Sequence, residues 1–186
     1  VGGNTMRGNS ESTTAVGSTR AGSPADNAQL ALLLEVTGTA KPGNVDRHRD
    51  LGDLRVAQFM AGAIGARSGL RRAATGDAVG PAFERAVAGM AARADENTQF
   101  GCLLLLIPLV RAAADDALTS DGVTEVVTAT TVDDAVAFYR AFEHVDVAVG
   151  DPPADAAELD ARRGAAADPT LRNREPPLYH TRKRPA

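Results

Sequence analysis

Apolar positions recur at helical spacing through most of the chain, and the breaks between them are polar or rich in Gly and Pro. The run "AQLALLLEV" puts Leu30, Leu33 and Leu34 on one face, with Asp26 available as a cap, so a helix is expected to about Thr37. Gly38 and Pro42-Gly43 end it. Asp53 can cap a second helix, Leu54 to about Ala74, striped by Val56, Phe59, Met60 and Ile64. A third is expected over roughly Gly80–Arg93, with Phe83, Val87 and Met90 three or four apart.

The segment "QFGCLLLLIPLVRAAADDAL" is apolar all round at Leu103–Leu106, the mark of a central buried helix. Pro108 removes a backbone donor there and is expected to kink it. "TSDGVTEVVTA" is β-rich in composition but has no partner strand, which predicts a short helix. "TTVDDAVAFYRAFEHV" opens with a capping box, Thr131 to Asp134, and carries a stripe of Val132, Val136, Tyr139 and Phe142. No period-two alternation and no repeat occurs. The fold expected is all-α, a multi-helical bundle around a buried central helix.

Residues 1–25 are rich in Gly, Ser and Thr and are expected to be a disordered N-terminal segment. The helical domain then covers 26–168, with a short helix near Ala154–Arg163, and 169–186 reads as an irregular basic tail. The net charge of −4 is uneven. Residues 161–186 hold seven Lys/Arg against two acids, or +5, leaving −9 for residues 1–160. An acidic body disfavours nonspecific nucleic-acid binding. The single cysteine, Cys102, forbids an internal disulfide and points to the cytoplasm. The longest apolar run, "CLLLLIPLV", is nine residues, too short for a membrane span.

Candidate chemistry gathers where the first helix breaks. Lys41, Arg47 and Arg49 can bind phosphates, and Asp46, Asp50 and Asp53 can hold a hard cation such as Mg²⁺. The helix start that follows offers backbone donors to an anion. The competing reading is a solvated loop whose charges pair at the surface, with Asp53 only a cap. A second candidate is "ADENTQFG", just before the buried helix, where Asn97 and Thr98 are either plain caps or part of an anion site. His144 and Asp146 lie two apart and can share a metal, though one pair does not make a site. His48 suits a surface or supporting role, and Cys102 an inert core one.

Together, "ALLLEVTGTAKPGNVDR" and, about 50 residues later, "NTQFGCLLLLIPL" resemble the triphosphoribosyl-dephospho-CoA synthase family, and its archaeal branch in particular. The matching positions are Glu35, Val36, Lys41, Pro42, Gly43, Val45, Asp46 and Arg47, then Asn97, Thr98 and Gly101. The resemblance covers roughly residues 28–150. It implies a multi-helical fold and transfer of the 5-triphosphoribosyl group of ATP to 3′-dephospho-CoA with release of adenine. ATP and dephospho-CoA are then the partners, with Mg²⁺ as cofactor. It assigns Lys41, Gly43, Arg47, Asn97 and Thr98 to ATP and phosphate, Asp46 and Asp53 to catalysis, and Asp46, Asp50 and Asp53 to the metal.

The chain departs from the family pattern in three places. The bacterial Gly-x-His-x-Asp-Met element is replaced by "LGDLRVAQF", where Asp53 alone corresponds. A basic pair becomes Gln99 and Phe100, and a Pro- and Arg-rich tail stands where further helices are expected, as in a shortened member. Two alternatives follow from these departures: a noncatalytic or truncated helical nucleotide or CoA binder, and a different nucleotide-dependent enzyme on the same scaffold.

Overall fold

The structure is a computed structural model that describes residues 22–38, 40 and 42–147. Seven α-helices follow in order: α1 (Pro24–Thr37), α2 (Val56–Gly65), α3 (Arg67–Ala74), α4 (Val79–Ala94), α5 (Phe100–Ala114), α6 (Ser120–Thr128) and α7 (Val132–Ala141). A 3₁₀ turn, Phe142–His144, closes the described chain. The all-α expectation holds; extended pairing among the described residues is limited to two isolated bridges in the α1–α2 connection. Expectations for residues 1–21 and 148–186, including the Ala154–Arg163 helix, lie outside the described residues.

Several elements differ from the periodicity reading. Helix α1 starts three residues earlier: Ser23 is its cap, accepting from Asp26 N at 3.2 Å, with Pro24 at the first helical position, where its missing N–H costs nothing. Its buried face is Ala25, Ala28, Leu32 and Val36, whereas Leu30 and Leu34 are exposed. The single helix expected over Leu54–Ala74 is two, broken at Ala66, and its buried face is likewise small. Phe59, Gly62, Ala63, Ala66, Gly69, Leu70 and Ala73 point inward, while Met60 and Ile64 point out.

Small residues face inward because α4 lies very close. A Cβ added to Gly69 would run into the backbone of Ala82 and Ala86, and one on Gly65 into Gly89. Backbones that approach this far leave no room for Met60 or Ile64, so the small stripe takes the seam.

The central helix is therefore α4, which packs against α2, α3, α5 and α7. Helix α5 was expected to be buried all round, and it is not. Leu103, Ile107 and Val110 face the core, but Leu105 is 66% exposed. Pro108 is accommodated within a continuous helix. An aromatic cluster closes the α4–α5–α7 contact: Phe83 meets Phe100 edge-on at 5.0 Å and stacks on Phe138 at 5.7 Å.

The capping box of α7 forms as expected and does a second job. Asp134 Oδ2 accepts from Thr131 N and Oγ1, both at 2.8 Å, while Oδ1 accepts from Gly80 N at 2.7 Å. One buried carboxylate thus satisfies donors at the starts of both α7 and α4.

Candidate functional site

The α1–α2 connection is built from two tandem turns. Asp46 and Arg49 exchange backbone hydrogen bonds of 3.0 and 3.1 Å, and Leu51 and Leu54 do the same at 3.1 and 3.0 Å. The second turn needs Gly52 as its first central residue, at φ 58°, and the Pro42-Gly43 turn needs Gly43 at φ 75°. Val45 anchors the loop, fully buried against Val36 of α1 and Phe59 of α2.

That anchor draws Asp46 inward. Its side chain is 4% exposed, and Oδ1 accepts from His48 N at 2.8 Å, which fixes the turn. Oδ2 has no protein partner among the described residues. Asp46, His48 and Arg49, with Ala40 and Pro42, line an open hollow of about 370 Å³. Arg47 lies exposed in the same turn. The hollow thus holds a buried carboxylate beside an imidazole and a guanidinium, groups that can accept a proton and bind phosphate.

The other predicted acids are arranged differently. Asp50 pairs with Arg55 at 2.6 Å in an exposed ion pair, an interaction worth about 1 kcal/mol at most. Asp53 is exposed in the second turn and does not cap α2. The start of α2 is instead closed by Gln58 Oε1, which accepts from Arg55 N at 2.8 Å. No three His, Cys, Asp or Glu gather into a metal-holding group among the described residues. Mg²⁺ bound with phosphates keeps waters and needs only one or two carboxylates, and Asp46 fits such a ligand through Oδ2. Lys41 lies outside the described residues.

The second candidate segment follows α4, which ends on Asp95 in the left-handed region. Asn97 Oδ1 accepts from Phe100 N at 3.3 Å, a capping contact, and its Nδ2 donates to the Asp146 carbonyl at 3.0 Å. Thr98 does not cap. Its Oγ1 is buried beside Gly62 of α2 with no partner. Gln99, 3% exposed, donates from Nε2 to the Leu32 carbonyl of α1 at 2.9 Å, and its Oε1 is also buried without a partner. Gln99 thus ties α5 to α1. Only its place beside Asn97-Thr98 marked it.

These contacts fix how the two segments relate. The loop is anchored at Val36 and Phe59, and the α5 start at Leu32 and Gly62. Each pair of anchors is about one helical turn apart on the same two helices, roughly 5 Å along each axis.

His144 and Asp146 do not form a pair. His144 Nε2 faces Glu84 at 4.0 Å, and Asp146 contributes its carbonyl to Asn97. Cys102 is half-buried against the core. A larger cleft of about 500 Å³ opens between the starts of α4 and α7 and the α5–α6 turn. Most of its charged groups are already engaged: Arg111 pairs with Asp115 at 3.0 Å, Asp77 with Arg72, and Asp134 is saturated, while Glu125 is exposed at its edge.

The model of the ATP:dephospho-CoA triphosphoribosyl transferase (CitG) family matches residues 21–184, most of the chain. The chain belongs to this family. No curated protein and no solved structure matches it significantly. The match reaches well beyond the 28–150 span of the motif resemblance and takes in the basic C-terminal segment. No helix among the described residues is long and apolar enough to cross a membrane.

Proposed function

We propose that the chain transfers the 5-triphosphoribosyl group of ATP to a hydroxyl of dephospho-CoA, with release of adenine, at the hollow of the α1–α2 loop. The observation that carries this reading is that the family match spans a motif whose acid, Asp46, is buried in that hollow beside His48 and Arg49. Cleaving the ribose–adenine bond develops positive charge on the sugar, as glycoside cleavage does, and a fixed carboxylate stabilises it.

The atoms balance without a further reactant. The C1′–N bond breaks, its electron pair leaves with adenine, and the acceptor oxygen bonds to C1′. Asp46 takes the acceptor's proton through Oδ2, and adenine gains one from solvent. Asp53 is the second carboxylate, on the neighbouring turn. Lys41, Arg47 and the backbone at Gly43 hold the triphosphate, with the backbone N–H groups of Asn97 and Thr98 before α5. Mg²⁺ carried on the triphosphate would supply charge neutralisation there, held by Asp53 and by Asp50 once Arg55 releases it, while Asp46 Oδ2 stays free as the base.

The test is incubation with Mg-ATP and dephospho-CoA, followed by mass spectrometry. Adenine should appear in step with a dephospho-CoA product heavier by one triphosphoribosyl unit. Binding of both substrates with no adenine would instead establish the noncatalytic reading. Lys41→Ala should raise the Kd for Mg-ATP about tenfold, the effect of losing one charged contact.

A further inference from the structure

Three polar or charged residues are buried among the described residues: Asp46, Gln99 and Asp134. Asp134 serves two helix starts, and Asp46 lines the loop hollow. Gln99 does something else: it fastens the start of α5 at two points. Its backbone N donates to Met90 Sδ of α4 at 3.3 Å, and its Nε2 donates to the Leu32 carbonyl of α1 at 2.9 Å. That carbonyl lies inside α1, where the helical bond from Val36 N already satisfies it. The far oxygen of the amide, Oε1, is buried with no partner. An apolar side chain of the same length would fill this place and strand no acceptor, so packing alone does not call for an amide here.

We propose that Gln99 is a positioning residue for triphosphate binding. This role rests on the transfer reading above, in which the triphosphate lies between the α1–α2 loop and the backbone donors before α5. The loop is anchored at Val36, one turn after Leu32 on the same helix. The Gln99 bond thus sets the α5 start against the helix that carries the loop, and it fixes the spacing between two sets of phosphate donors. Asp46 has supports of its own: Val45 beside it is the buried anchor, and His48 N holds its Oδ1. Loss of the Gln99 bond therefore loosens the phosphates and spares the base. Substrate and transition state carry the same triphosphate, so the loss falls on both alike and appears in KM rather than kcat. A matched bond lies elsewhere on α1. Gln29 Nε2 donates to the Ala63 carbonyl of α2 at 3.1 Å, the same chemistry between two helices but in neither site segment.

Gln99→Met and Gln29→Met in the full chain test it, since methionine keeps the length and fills the space. Calorimetry gives Kd for Mg-ATP, steady-state adenine release gives KM and kcat, and melting gives Tm. Gln99→Met should raise Kd and KM about tenfold, with kcat within about twofold and Tm within about 3 °C of the parent. Gln29→Met should move Tm as much and leave Kd and KM within about twofold. Gln99→Leu, a second apolar replacement, should repeat the Gln99→Met result and decides the matter if methionine unfolds the chain. An unchanged Kd in the Gln99 variants, or an equal rise in Gln29→Met, would overturn the proposal. A parent that binds Mg-ATP and releases no adenine would overturn the transfer reading alone, because the Kd comparison still decides the role of Gln99. A parent that does not bind Mg-ATP would overturn both.

Discussion

The seam between α2–α3 and α4 and the loop between α1 and α2 use glycine for opposite ends. In the seam, Gly69 is required because the backbone of α4 fills the space a side chain would take. In the loop, Gly52 is required by its backbone angle alone, since a Cβ there would meet nothing within 4 Å. The seam is held by contact and tolerates no added atom. The loop is held by turn hydrogen bonds and one apolar anchor, Val45, and leaves Arg47, His48 and Arg49 exposed. On the function proposed above, folding and chemistry are divided between two neighbouring regions that share α2.

One substitution at each glycine breaks or sharpens that comparison. Gly69→Ala should cost about 3 kcal/mol or more and lower Tm by about 10 °C, because backbone rather than a movable side chain must yield. Asp134→Ala comes next. It strands one buried donor, Gly80 N, and two half-buried ones, Thr131 N and Oγ1, at two helix starts and should cost about 2–3 kcal/mol in urea unfolding, with both α4 and α7 losing amide protection. Gly52→Ala should cost only about 1 kcal/mol, the penalty of a side chain at positive φ. A Gly52→Ala loss as large as that of Gly69→Ala would erase the distinction between the two regions.

The smallest effect belongs to Asp26. The Ser23 hydroxyl, aided by Arg67, holds its carboxyl below the ordinary range. A group whose pKa is lower in the folded chain stabilises above its unfolded pKa and loses that contribution as pH falls through its folded value. Asp26→Asn should therefore narrow the stability difference between neutral and acid pH slightly, visible only in a pH series of Tm.

The helices were legible in the sequence because their periodicity and caps are local. Thr131 and Asp134 announced α7, and Thr119 through Thr128 formed a helix despite its β-rich composition. The Phe83, Val87 and Met90 face of α4 was legible, but the faces that α1 and α2 bury were not. Large residues normally mark the core, but here Leu30, Leu34, Met60 and Ile64 lie outside while Ala28, Gly62 and Ala66 lie inside. For α2 and α3 the close approach of α4 explains that choice, and α1 turns its small face to α2, α3 and α5, all of them residues far along the chain.

The same limit applies to the site. Asp46, Arg47 and Arg49 stood out by charge and spacing, and the hollow forms around Asp46 and Arg49 with Arg47 exposed in the same turn. The engagement of Asp50 by Arg55, the closure of α2 by Gln58 and the tie from Gln99 to Leu32 depend on three-dimensional neighbours. Gly80, the partner of Asp134, is 54 residues away.

The central claim is that the loop carries the chemistry while the seam carries the fold, and Asp46→Asn separates them most directly. Asparagine keeps the Oδ1 acceptor for His48 N, so the turn and the Val45 anchor should survive and Tm should stay within about 2 °C of the parent. Removing the base and charge should slow adenine release from Mg-ATP and dephospho-CoA by about 100-fold or more. An Asp46→Asn variant that melts like the parent and releases adenine at the parent's rate would contradict the account.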